Sequence, residues 1–328
     1  MTASVLTDQE LRGVVEAASL APSVHNTQPW SFSWDGTTLS VLEDPARGLP
    51  VLDPTGRERV LSCGAAVLNA RLARAALGWQ CKVELQPDPA RPELLARLIV
   101  SGKGPEQVDV DLAASIPRRY TDRGVFEDRE VPGDVVRRLV EAAEREGAWL
   151  RPVERLEDRV ALAVLLSQAD EVEHRDPAYQ AELAHWRTRE RTEAGIPDAA
   201  LAADAPAVRG SDYTLRDFHL AEPARAAAVT DDPPRPEHPL ALVLGTDADD
   251  PESWIVAGMA LGRVLLQATA EGLAASPMTQ VVEIERLRLR LRQEMGLAGL
   301  PQVVLRIGYG HEAMTTRRRP VDQVLQVL

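Results

Sequence analysis

Polar side chains crowd into one short stretch near the N-terminus, Ser19-Leu-Ala-Pro-Ser-Val-His-Asn-Thr-Gln-Pro-Trp30. Ser23, His25, Asn26, Thr27 and Gln28 lie between Pro22, whose ring cannot continue a helical hydrogen-bond ladder, and Pro29, which should hold Gln28 extended. Amides and hydroxyls fixed on such a loop suit the reading of a flat heterocycle. The plainer alternative is that they cap turns and helix ends. Asn26 is one of two Asn residues in the chain, which argues against filler. Two other stretches concentrate positive charge, Arg118-Arg-Tyr-Thr-Asp-Arg-Gly124 and Thr316-Arg-Arg-Arg-Pro320. All but two of the 37 basic residues are Arg (Lys82 and Lys103 are the exceptions), so such clusters must be judged by position, not by count.

Other chemistries lack their residues. The sequence has no Gly-x-Gly-x-x-Gly, no phosphate loop ending Gly-Lys-Ser/Thr, no His-Glu-x-x-His and no Gly-x-Ser-x-Gly elbow. Its two cysteines, Cys63 and Cys81, cannot hold a metal cluster alone and read as small core residues or bystanders. His174 and His185 read as surface residues. A net charge of −13 argues against non-specific nucleic-acid binding. The N-terminus shows no basic region followed by an apolar one, and no run approaches membrane-spanning length, so the chain reads as soluble. A reducing cytoplasm is the expected home.

The elements that must position these residues follow from periodicity. Asp8 to Leu20 is helix-like, with Thr7 and Glu10 spaced as a capping box. Trp30 to Trp34 and Thr38 to Leu42 alternate as strands around an Asp35-Gly36 turn. Arg57 to Leu77 reads as a long Ala-rich helix closed by Gly78, and Cys81–Leu85 and Leu95–Val100 as two more strands. A second unit then repeats the order. Leu139-Val-Glu-Ala-Ala143 echoes Val14-Val-Glu-Ala-Ala18, Ala257-Gly258-x13-Gly272 echoes Cys63-Gly64-x13-Gly78, and Gln302–Tyr309 stands where Leu95–Val100 stood. The polar loop occurs only in the first copy, whose counterpart in the second is Arg145-Glu-Gly-Ala-Trp149. The Arg-x-Thr-x-Arg segment occurs only in the second. Each copy supplies what the other lacks, as expected of a two-site dimer fused into one chain with one surviving site.

The string Ala-Pro-Ser-x-His-Asn-x-Gln-Pro-Trp resembles the flavin-contacting loop of the nitroreductase superfamily, in particular its double-length Acg-like branch. The resemblance implies an α+β nitroreductase-like fold in which two tandem halves, 1–112 and 113–328, form a pseudo-dimer. It implies FMN as cofactor, with Ser23, Asn26 and Gln28 on the polar edge of the ring and Thr27 and Pro29 beside them. His25 stays open between ring or substrate contact and a backbone hydrogen bond. Arg119, Thr121 and Arg123 are similar to the Arg-x-Ser-x-Arg signature that binds the FMN phosphate, for which guanidinium forks and a hydroxyl are suited. Arg317, Arg318 and Arg319 resemble the basic segment that closes over the same phosphate. Which of the three touches it is open, with Arg318 the first choice. By position alone, Met278, Thr279 and Gln280 would neighbour flavin N5.

The implied function is an FMN-dependent oxidoreductase passing electrons from NAD(P)H to a nitro- or quinone-like small molecule, in a monomer or weak homodimer. A flavin-binding or storage protein with little turnover is the alternative, as is a tailoring oxidase or dehydrogenase. An insertion, 165–239, separates these readings. Its charged Tyr179–Thr192 helix, the Gly195-Ile-Pro197 break and the anchors Trp186, Tyr213 and Phe218 suggest a folded lid over the site.

Overall fold

The structure is a computed structural model that describes residues 6–188, 193–198, 213–214, 216, 237, 239–310 and 316–328. Much of the 165–239 insertion, Phe218 included, therefore lies outside the described residues. Helix α1 (Asp8–Ser19) begins with the expected capping box: the Thr7 hydroxyl accepts from Glu10 N at 3.2 Å and the Glu10 carboxylate accepts from Thr7 N at 2.8 Å. Strands β1 (Trp30–Trp34) and β2 (Thr38–Glu43) pair antiparallel around Gly36. Helix α2 (Arg57–Ala76) follows, then β3 (Trp79–Leu85), β4 (Leu94–Lys103) and α3 (Gln107–Ala113). Next come α4 (Gly133–Glu144), β5 (Trp149–Pro152), α5 (Leu156–Arg175), α6 (Pro177–Trp186) and a ribbon of β6 (Arg187–Thr188) and β7 (Ile196–Pro197). The chain continues through β8 (Leu240–Thr246), α7 (Pro251–Ala270), β9 (Ala274–Pro277), α8 (Gln280–Glu283), α9 (Glu285–Glu294) and β10 (Leu300–Gly308), then α10 (Val321–Val324) and β11 (Leu325–Val327).

Two main sheets result, in the orders β11-β1-β2-β4-β3 and β5-β8-β10-β9. They are packed differently, and their sequences show why. In β1, Trp30, Phe32 and Trp34 are buried and Ser31 and Ser33 less so, the alternation of a sheet with one covered face. Strands β8 and β10 are almost wholly buried, because α4 and α7 lie on one face and α5, α8 and α9 on the other. The chain's last strand does not join the second sheet. β11 pairs in parallel with β1, Phe32 opposite Leu325, so the C-terminus is donated to the first sheet.

Helices α2 and α7, each 20 residues, cross at the centre. The glycines singled out by the sequence echo meet there. A Cβ on Gly258 would lie 1.9 Å from Leu61 O, and one on Gly64 2.3 Å from Ile255 O, so neither position admits a side chain. Contrary to the expectation from the sequence, α7 is long and apolar enough to cross a membrane, but 67% of that stretch is buried within the protein. The helix expected over Tyr179–Thr192 is also corrected: Asp176 caps it, it runs from Pro177 to Trp186, and the chain then enters the β6–β7 ribbon.

Candidate functional site

The polar loop is strained where its side chains matter. His25, Asn26 and Gln28 have φ of 50°, 55° and 52°, three of the four non-glycine residues with positive φ among the described residues. Each such residue costs on the order of 1 kcal/mol. The expectation that Pro29 keeps Gln28 extended is thus wrong. The surrounding hydrogen bonds decide instead. Gln28 N donates to Ser23 Oγ at 3.0 Å, Thr27 N donates to Val24 O at 3.0 Å, and the Cys63 thiol donates to Pro29 O at 3.1 Å. His25, Asn26, Thr27 and Gln28 are all buried.

The amides of Asn26 and Gln28 are tied to two distant segments. Asn26 Nδ2 donates to Gly195 O at 3.0 Å and to Arg317 O at 3.2 Å. Gln28 Nε2 donates to Glu193 O at 2.7 Å, and Gln28 Oε1 accepts from Arg319 N at 2.7 Å. In this arrangement, then, both amides hold the insertion and the C-terminal segment to the loop. Gly195 has φ of 82°, and a Cβ there would lie 2.5 Å from Trp186 O, so the break read at this glycine is required by the ribbon.

Both basic segments converge on the end of α1. Arg119 Nη2 donates to Leu20 O at 3.4 Å, and Arg318 Nη2 donates to Leu20 O at 3.4 Å and Ala21 O at 3.2 Å. Carbonyls at a helix C-terminus carry partial negative charge and attract cations. Arg318 Nη1 also meets Thr316 Oγ1 at 2.6 Å. No carboxylate pairs with Arg119 or Arg318 among the described residues, and the Nε atoms of both are buried without a partner. Burial first, and the neighbouring guanidinium of Arg123 second, lower Arg119 to about 10. Burial and Arg119 lower Arg318 to about 9. Arg123 falls to about 10 through burial and Arg216, partly offset by Asp122. These guanidiniums form a mutually repelling series. At its other end His25 is held well below its ordinary value by burial, Arg216 and Arg123, so its imidazole is neutral.

Thr121 is fixed by a parallel bridge to Ala275, with Asp122 N donating to Ala275 O at 3.0 Å. That contact sets the Arg segment beside β9, but the residues beyond β9 turn away. Met278 is buried in the core behind the second sheet and its amide is spent on Val304 O at 2.8 Å. Gln280 is buried and donates to Thr214 O at 3.4 Å, while Thr279 stays half-buried at the start of α8. Arg317 contributes its carbonyl and leaves its side chain exposed. Arg319 turns to the far end of the loop, donating to Gln28 O at 3.4 Å.

Several residues here went unread in the sequence. Arg216, from the insertion, pairs with Glu173 at 3.2 Å and more closely with Glu283. Burial raises Glu173 to about 8 and nearby Glu58 to about 7, although Arg216 and Arg57 respectively oppose the shift. No local pattern links these positions, which come from α5, α8, α2 and an irregular segment. Helix α6 closes over the loop from outside. Leu49, Leu52, Tyr179 and Leu183 form a small core with Val24 and Trp186 against it, and Glu182 accepts from Val51 N and Leu52 N at 3.0 and 2.9 Å. His174 and His185 are exposed, as read.

Comparison with known proteins shows the family. The family model described as "Nitroreductase family" matches residues 116–311. A Mycobacterium tuberculosis protein provisionally named an NAD(P)H nitroreductase is 37% identical over 323 residues, covering 97% of this chain and 91% of its own. The acg protein of the same organism, named likewise, is 31% identical over 335 residues, covering 100% of this chain and 98% of its own. Among solved structures, the FMN- and NADPH-dependent nitroreductase NfnB of a Sphingopyxis-type strain, HMH, is 20% identical with a TM-score of 0.41, over 66% of this chain and 97% of that one. The chain belongs to the nitroreductase family, and its α+β fold is nitroreductase-like.

Proposed function

We propose that this chain binds one FMN between its two halves and acts as a flavin-dependent oxidoreductase, taking electrons from NAD(P)H and passing them to a nitro- or quinone-like small molecule. The observation that carries the reading is the convergence of Arg119 and Arg318 on one carbonyl, with buried Nε atoms that have no partner and no carboxylate paired with either among the described residues, beside a strained polar loop. These residues fit a phosphate monoester: its dianion would supply the compensation that the two guanidiniums do not find among the described residues. Thr121 and Arg123 extend the same wall. The loop Ser23–Gln28 would flank the ring, with the neutral His25 as an uncharged hydrogen-bonding group. Bound there, the flavin would accept hydride from reduced nicotinamide and return an electron pair to the acceptor. The chain's own residues bind and orient it, and none is required as general acid or base. The names of the M. tuberculosis relatives support the nicotinamide donor.

The pseudo-dimer is part of this proposal. It is supported by the order of elements in the two units, the Gly64–Gly258 crossing, and β11 carrying the second unit's C-terminal segment past the first unit's loop. Chromatography of the flavin released on denaturation tests the cofactor: FMN is expected, and recovery of FAD would defeat the reading. A second reading, FMN binding with little turnover, is favoured by the closure of α6 and the Glu193–Gly195 strap over the loop. Anaerobic mixing with NADH or NADPH separates the two, since rapid flavin bleaching is incompatible with a closed lid.

A further inference from the structure

FMN carries one phosphate, yet the polar loop has a pair of arginines at each end. Arg119 and Arg318 sit at Leu20 and Ala21. At the opposite end, Arg47 Nε donates to Thr27 O at 2.5 Å, while Arg319 donates to Gln28 O and, through Nη2, to Gln323 O at 3.0 Å. Arg47 is delivered by a short 3-10 turn, Pro45–Arg47, that Asp44 caps by accepting from Ala46 N at 3.1 Å. Among the described residues neither guanidinium forms an ion pair. Asp44 partly offsets the charge of Arg47 while its carboxylate caps the turn, and Glu193 accepts from Gln323 Nε2 at 3.1 Å. Arg47 and Arg319 are close enough to repel one another, and both are half-buried. An aromatic face completes the group. Trp186, the last residue of α6, lies 5.6 Å from the Arg47 guanidinium and is braced edge-to-face by His185 at 5.5 Å.

We propose that Arg47, Arg319 and Trp186 form a second anion-binding lobe, which takes the phosphate or carboxylate of a planar aromatic ligand at the outer rim of the loop. Guanidinium forks recognise either anion bidentately, and the indole offers a stacking face for the attached ring. Two substrates carry that chemistry: the 2′-phosphoadenosine end of NADPH and an anionic aromatic electron acceptor. That the ligand is a redox substrate rests on the flavin reading; that the lobe binds an anion does not.

The test compares matched ligands by calorimetry on the whole chain, both FMN-loaded and stripped. Adenosine 2′-phosphate is set against adenosine, and 4-nitrobenzoate against 4-nitrobenzyl alcohol. The anionic member of at least one pair should bind ten times tighter or more in the loaded chain, and Arg47→Gln or Arg319→Gln should remove most of that preference. A preference in the adenosine pair assigns the lobe to the electron donor, and one in the nitrobenzyl pair assigns it to the acceptor. A smaller preference in both pairs overturns the proposal, as does one that survives both substitutions. A preference seen only in stripped protein also overturns it, because the anion is then entering the flavin-phosphate cluster. Should the chain bind no FMN at all, the flavin reading fails separately, and the stripped comparison with the two variants still decides the lobe.

Discussion

Further along the crossing helices α2 and α7, Arg71 and Arg263 share Glu146 and Asp109; at the end of α1, Arg119 and Arg318 share, among the described residues, one carbonyl oxygen, that of Leu20. Both clusters are at least half-buried and both join segments far apart in the chain. The first is balanced within the protein: Arg263 meets Asp109 at 2.6 Å and Glu146 more closely still, and these partners raise its pKa against the effect of burial. The second is unbalanced, and burial with like-charge repulsion lowers its members. Burying charge without compensation is costly. The proposed FMN phosphate would give that cost a purpose in one cluster and none in the other, so position and partner, not arginine content, are what separate the two clusters.

The sharpest way to break the comparison is to disturb the balanced cluster. Replacing Glu146 by Ala strands two arginines on one carboxylate and should destabilise the chain by about 3–5 kcal/mol, read by urea unfolding. FMN affinity should change little, provided the variant is assayed where it is folded. A loss of flavin at full stability would show that this cluster is not merely structural. In the unbalanced cluster the expectation reverses. Arg119→Gln and Arg318→Gln should each weaken FMN by about 10- to 100-fold, the worth of a charged hydrogen bond, while the flavin-free protein becomes no less stable. A fall in flavin-free stability would mean that these arginines are glue after all.

The acid-rich neighbour of the site gives a pH test. Glu173 and Glu58 titrate near 8 and 7 in the folded chain, above their ordinary value, so the folded state holds more protons than the unfolded state between about 4.5 and 8. Their contribution to stability is therefore full below about 4.5, falls as pH rises from there, and is lost once pH has passed through 7 to 8. Melting temperature should fall over that interval, and Glu173→Gln should flatten the fall; an unchanged slope would remove Glu173 from the account. The smallest effect is expected in the loop. Asn26→Ala should cost FMN binding about 0.5–1.5 kcal/mol, the worth of a neutral hydrogen bond, because its amide is shared with Gly195 and Arg317.

What could be read in advance was local or repetitive. The Thr7–Glu10 box, the Gly36 turn and the helix starting at Arg57 depend on neighbours a few residues away, and the Gly64–Gly258 echo depended only on repetition. The three converging segments were legible because each carries its own polar signature. What escaped depends on distant partners. Positive φ at Gln28 is set by Ser23 and by the segments that grip its amide, against the preference imposed by Pro29. Met278 owes its place in the core to the second sheet, whose Val304 O takes its amide. Arg216 acquires its meaning only from Glu173 and Glu283 on two separate helices.

The central claim is that one FMN completes the unbalanced cluster at the junction of the two units. Calorimetric titration of the flavin-stripped chain with FMN tests it most directly. The account predicts saturation at one equivalent, with tight binding lost in Arg119→Gln. Saturation at two equivalents, or wild-type affinity in that variant, would contradict it.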